Sequence, residues 1–298
     1  MDRCQSGAGV HKASLASTPL NSILDTFRSV SASRGGDDRG KSVLAYEAAT
    51  IRECRRALAD RGRPLWREAV GSAPIEPWRN YPDGEVYDPR THAQYFYHCH
   101  ADGAGRQIAE NDEHGHFHLF MRAEGMPPGV APLLLPELAV ADVPLPPQAA
   151  PLKRGGRDEI SHLVAIALDT AGEPVRLFTT NRWVTGETWY AASDVIAMLD
   201  RFAIGNDRLL DRCIGAILRL FRDEIVELLR ERDAVVMAWR RRRRSNVFED
   251  PRLEIASSIA IDLDARLAEV ERPAVDPTSY PEPRLVRRLP PMAEGWGA

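Results

Sequence analysis

Five of the chain's eight histidines fall within 21 residues, as His98, His100, His114, His116 and His118. They lie in two strings dense in aromatic residues, HAQYFYHCH over 92–100 and HGHFHLFMR over 114–122, and both read as β-strands. Side chains alternate along a strand, so positions i and i+2 share a face. Phe96, His98 and His100 therefore point one way on the first strand, and His114, His116, His118 and Phe120 one way on the second. Tyr95, Tyr97 and Cys99, and Gly115, Phe117, Leu119 and Met121, take the opposite faces. If the two segments pair as antiparallel neighbours, both histidine rows land on one side of a sheet. Neutral imidazole is a common metal ligand, and three or four converging rings suit Zn, Fe, Ni or Cu; Zn or Fe is the expected ion. Closed structural zinc sites take four ligands, often Cys, so an all-His set with acidic neighbours fits an open, catalytic type better. Asp112 and Glu113 stand at the mouth of the second strand. Either could complete a two-His-one-carboxylate set, and Glu113 is the candidate general base. The competing reading is a solvated strand face, or core histidines bonded to buried carbonyls.

A second patch is NRWVTGETWY, residues 181–190. Arg182 offers a planar bidentate donor for a carboxylate or phosphate. Trp183, Trp189 and Tyr190 offer aromatic walls with polar handles. Glu187 adds a carboxylate, and Gly186 permits a tight turn. Arg182, Trp183 and Glu187 are the candidate substrate-binding residues. Alternatively the tryptophans pack the sheet onto the next helix and Arg182 pairs with Glu187. His162 begins a strand beside this patch and can face the same cavity.

These residues need a sheet to hold them. HLVAIALD (162–169) and VRLFTTN (175–181), joined through Gly172, form the best hairpin in the chain. Residues 127–151 carry eight prolines, which exclude a helix or central strand there; a long surface crossover is expected. Residues 72–92, with Pro74, Pro77, Pro82 and Pro89 among aromatic residues, read as an ordered loop. Helices are expected on both sides of the β segments. Leu44, Ala48, Ile51, Cys54 and Leu58 recur at three and four in a helix from Ser42. Ser193 can cap a helix running to about Phe202. One apolar stripe runs from Leu210 to Trp239, so a single helix is expected over 207–243, kinking near Gly215 or supporting a partner. Residues 252–271 read as a last helix. The expected organisation is a flexible leader over 1–42, one α+β domain over 43–271, and a proline-rich tail over 272–298.

The chain has 298 residues, 44% hydrophobic and 28% charged, with a net charge of −4. That is ordinary globular composition, with no bulk attraction to polyanions. The Arg240–Arg244 run suits a helix C-terminus in water, and without a recognition motif nucleic acid is not an expected partner. Cys4, Cys54, Cys99 and Cys213 form no C-x-x-C pair, and a disulfide framework is not expected. No window has the ~18 uncharged apolar residues of a membrane helix, and the N-terminus does not read as a secretory signal. A cytoplasmic location with no membrane partner follows. The nucleotide fingerprints G-x-G-x-x-G and G-x-x-x-x-G-K-[ST] are missing, as are H-E-x-x-H and G-x-S-x-G.

The strings YPDGEVYDPRTHAQYFYHCH, DEHGHFHLF and HLVAIALDTAGEPVRLFTTNRWVTGETWY resemble a family of bacterial, proteobacterial, proteins defined by a domain of unknown function. The resemblance covers roughly residues 44–270. It implies a bacterial origin and a single shared domain, and it supplies no ligand set and no catalytic residue.

The sequence thus points to an α+β domain, an antiparallel sheet of four or more strands flanked by N- and C-terminal helices. The leading function is a metal-dependent enzyme acting on a small anionic molecule by oxygenation or hydrolysis. In it the histidines hold the ion, Glu113 moves protons and Arg182 anchors the anion. The alternatives are a non-enzymatic metal or small-molecule carrier or sensor, and an interaction module that uses the 207–243 helix, for example as a homodimer surface.

Overall fold

The computed structural model describes residues 36–100, 113–133, 159–242 and 246–272. Expectations for the leader before residue 36, the crossover over 134–151, the tail beyond residue 272, Asp112, and Arg243 and Arg244 fall outside the described residues. Helix α1 (Gly36–Arg61) and the short α2 (Arg67–Val70) precede three strands, β1 (Tyr81–Tyr87), β2 (Ala93–His98) and β3 (Glu113–Arg122). The hairpin β4 (Ile160–Asp169) and β5 (Pro174–Thr180) follows. Next come α3 (Arg182–Thr185), α4 (Ala192–Leu199), α5 (Leu209–Leu220) and α6 (Arg222–Arg242), then β6 (Ile255–Ala260) and α7 (Leu263–Val270). The six strands form one sheet in sequence order, every neighbouring pair antiparallel. The fold is α+β, as the sequence indicates.

The two faces of this sheet differ. Tyr95, Tyr97, Phe117, Leu119, Met121, Ile166, Leu168 and Leu177 point into the main core. There they meet Ala48, Ile51 and Cys54 of α1, Val195 and Met198 of α4, Ile214 and Ile217 of α5, and Ile225 and Leu229 of α6. Burying each large aliphatic side chain contributes on the order of 1.5–3 kcal/mol, so this layer anchors the sheet. Two polar links fix the helices over it. Tyr95 donates its hydroxyl proton to Asp211 of α5. Arg219 of α5 donates to Glu47 of α1 at 2.6 Å. The β4–β5 hairpin turns where expected: Gly172 has φ +87°, and a Cβ there would strike the backbone nitrogen of Leu65.

Several sequence expectations need correction. Residues 36–42, read as the end of a flexible leader, already belong to α1, and α4 starts at Ala192 with Ala191 at its cap position, so Ser193 lies inside the helix and does not cap it. Residues 81–87, read as loop, form edge strand β1; Pro82 is tolerated because an edge strand leaves one row of N–H groups outside the ladder. The single helix over 207–243 is two helices that change direction at Phe221, not at Gly215, because Phe221 leaves the helical region (φ −106°, ψ 24°). The guanidinium of Arg266 then donates to the Leu220 carbonyl at 3.1 and 3.0 Å, the group a continuous helix would have used itself. The helix over 252–271 is a strand followed by a shorter helix. Asp262, accepting from the Ala265 amide at 2.8 Å, is the true cap, and the isoleucine- and serine-bearing stretch before it pairs with β5. Among the described residues no helix is long and apolar enough to cross a membrane.

Register between β2, β3 and β4 depends on Gly115. The β3–β4 pairing slips between Glu113 and Gly115, a bulge that turns His114 and Gly115 to the same side. A Cβ on Gly115 would run into the Tyr97 hydroxyl and the His98 carbonyl. Gly115→Ala should therefore destabilise the protein by about 1–3 kcal/mol, read as a lower urea midpoint; an unchanged midpoint would contradict this view of the bulge.

Candidate metal centre

Pairing of β2 with β3 puts His98 across from His116 and Phe96 across from His118. One nitrogen from each of His98, His116 and His118 lies within 4.8 Å of the others, a group able to hold a metal ion. The rings sit edge to face: His98 and His116 centroids are 4.5 Å apart, His116 and His118 4.7 Å, His98 and His118 5.1 Å. His116 and His118 are buried, and His98 is half-buried, so the group opens toward its His98 end. His100 continues the row there, its Nε2 3.3 Å from the His98 Nε2. Phe96 and Phe178 wall the group, Phe96 5.3 Å from His118 and Phe178 5.1 Å from His116 between centroids.

His114 does not join. The bulge turns it to the helix-packed face, where it stacks on Trp66 at 4.0 Å and shares a 2.6 Å hydrogen bond with the Tyr97 hydroxyl. Strict alternation from His118 down to His114 holds only without the bulge. In its place comes His162 of β4, whose Nε2 lies 3.0 Å from the His118 Nδ1. Sequence alternation could not put His162 in this group, because β4 also slips against β3, between Leu119 and Phe120. The sequence signal for His162 is an isolated histidine at the start of an apolar strand, and it places the residue beside the 181–190 patch rather than in the histidine row.

The carboxylates and the second patch are placed as follows. Both carboxylate oxygens of Glu113 accept from one edge of the Arg176 guanidinium, Nε and Nη2, the latter at 2.8 Å. Arg176 lies over the Phe178 ring, so Glu113 borders the wall of the group and not its three nitrogens. Arg182 is buried; it donates to the Glu187 main-chain carbonyl and to the Glu249 carboxylate, each at 2.9 Å. Trp183 donates its ring N–H to the Leu253 carbonyl at 2.8 Å. Trp189 packs on Phe248, with the Arg232 guanidinium over its ring. The Glu187 side chain reaches the deep end of the histidine row, accepting the His162 main-chain N–H at 2.7 Å.

Burial sets the electrostatics. It holds His116 and His118 well below the ordinary imidazole pKa, assisted by the neighbouring rings. It drives His162 down to about 3, with Arg232 adding to the effect. The rings are therefore neutral at pH 7, the form that binds metals. Burial also pushes the Glu187 carboxyl up to about 7.

Residues 45–261 match the family described as Domain of unknown function (DUF6969), and the chain belongs to that family. No curated protein and no solved structure matches the chain.

These shifts dictate how metal-free stability varies with pH. His116, His118 and His162 have folded pKa values below the unfolded one, so the unfolded chain binds more protons and stability falls as pH drops below about 6.5. Glu187 is raised and works in the opposite sense, and burial raises Glu85 and Glu249 in the same way. These carboxyls offset only part of the histidine effect, so the urea midpoint should fall from pH 7 to pH 5 with a net uptake of about one to two protons on unfolding. In His162→Phe the slope should decrease by about one proton. A midpoint flat over that range would mean the rings are not buried neutral.

Proposed function

We propose that this DUF6969 chain holds one divalent transition-metal ion, zinc before iron, on His98, His116 and His118, and that the ion serves hydrolytic chemistry on a small anionic molecule. The convergence of three imidazole nitrogens from two chain segments carries this reading. Three neutral ligands leave the ion's charge uncompensated, and such a set brings the pKa of a bound water to about 7. The same charge attracts an anion. An iron oxygenase site normally includes a carboxylate ligand, and Glu113 is committed to Arg176, so zinc is favoured over iron and hydrolysis over oxygenation. The half-buried His98 end leaves a direction from which substrate can reach the ion. Glu113, the expected general base, gives both carboxylate oxygens to Arg176 beside the wall, so it would handle protons only on leaving that pair. Buried Cys54 and Cys213, which are not joined in a disulfide, suit a reducing, cytoplasmic compartment.

A second reading, a carrier or sensor, is favoured by one contact. The His100 ring nitrogen is 3.3 Å from that of His98, so although it lies outside the group of three, a shift of its ring would supply a fourth ligand and close the shell.

Elemental analysis of protein purified without a His tag tests the centre itself: about one ion per chain is expected, and essentially none in His116→Ala/His118→Ala. No metal in either protein contradicts both readings. Replacing the ion by cobalt separates them, since an open site changes its visible spectrum on adding azide and a closed four-His shell does not.

A further inference from the structure

We infer that His162 is a positioning residue, which fixes His118 in the tautomer whose Nε2 is directed at the ion; the inference rests on the metal-centre reading above. His118 Nδ1 and His162 Nε2 are 3.0 Å apart, and both rings are buried. A neutral imidazole has one N–H and one lone pair. The pair therefore has two arrangements. In one, His118 donates from Nδ1 and keeps its Nε2 lone pair for a metal. In the other, His162 donates from Nε2, and His118 must carry its proton on Nε2, where it blocks coordination.

The Thr180 hydroxyl can satisfy His162 in either arrangement, so the ion selects between them: only the first leaves the His118 Nε2 lone pair free for it. His162 Nδ1 faces the Thr180 hydroxyl at 3.4 Å, an acceptor for the Nδ1–H that His162 carries when its Nε2 accepts. Ion, His118, His162 and Thr180 then form one chain in which each donor meets an acceptor. The register slip between Leu119 and Phe120 sets His162 across from Phe120, from where its ring reaches His118 diagonally. The main-chain N–H of His162 is clamped by Glu187 at 2.7 Å, so ring and backbone are both held. Outer partners of this kind orient ligating histidines, and their loss typically costs 10–100-fold in metal affinity.

Zinc affinity measured by competition with a chromophoric chelator tests this in His162→Phe, which keeps a ring but removes the acceptor, and in His162→Gln, which keeps an acceptor. Affinity should fall about 10–100-fold in the Phe variant and stay within about threefold of wild type in the Gln variant. Nitrogen-15 spectra of the zinc-loaded wild type should show His118 protonated at Nδ1, a reading available even if the Phe variant does not fold. Wild-type affinity in the Phe variant, or His118 protonated at Nε2, would overturn the inference. So would a cobalt spectrum changed alike in both variants, which would make His162 a ligand. If the wild type takes up no metal, the centre itself fails; if it does and His118→Ala abolishes uptake, indifference of the Phe variant removes only the role of His162.

Discussion

Antiparallel pairing of β2 with β3 sets His98 opposite His116, and residues two apart on the same face then bring in His118. Everything chemical in this chain depends on that register, because a slip of one residue would turn the whole histidine row into the helix-packed core. The register is held from both sides. Large side chains on the opposite face, Tyr95, Phe117 and Leu119 among them, lock the strands under α1 and α5. At the end of β3, Gly115 leaves the room that Tyr97 and the His98 carbonyl occupy. The residues that fold the sheet are thus different from those that face the candidate site, although they alternate along the same strands.

Burying imidazoles is costly, since each brings polar nitrogens out of water. The structure limits this cost by keeping the rings uncharged and packing them against Phe96, Phe120 and Phe178. His118 and His162 satisfy one another, and Thr180 continues the chain. A cation is the partner able to accept several converging lone pairs at once, which is why a buried cluster of neutral histidines points to a metal more strongly than a solvated row would. The second patch has a different character. Arg182, Trp183 and Trp189 are tied to Glu249, Leu253 and Phe248, joining the segment after β5 to the segment before β6. Glu187 connects it to the histidine row, through the backbone of His162.

Period-two alternation makes most of the site legible in the sequence. His98, His116 and His118 follow from it, as do the β4–β5 hairpin and the apolar stripes of α1 and α5. Alternation fails at bulges, and both histidines it misplaces are beside one: His114 at the slip near Gly115, His162 at the slip beside Phe120. Local composition hides other features. Prolines conceal β1, whose edge position tolerates them. In 252–271, alanine and leucine suggest a helix, while pairing with β5 makes the first part a strand. The stripe from Leu210 to Trp239 runs unbroken through Phe221, so periodicity alone does not reveal that Arg266 ends α5 by taking the Leu220 carbonyl. Each failure is a tertiary contact overriding a local pattern.

X-ray absorption on the zinc-loaded protein addresses the central claim most directly, because it reads the ligands themselves. The account requires scattering from at least three imidazole rings with zinc–nitrogen distances of about 2.0–2.1 Å, together with a light-atom ligand in the remaining position. A shell containing sulfur near about 2.3 Å, or oxygen ligands without imidazole scattering, would contradict it.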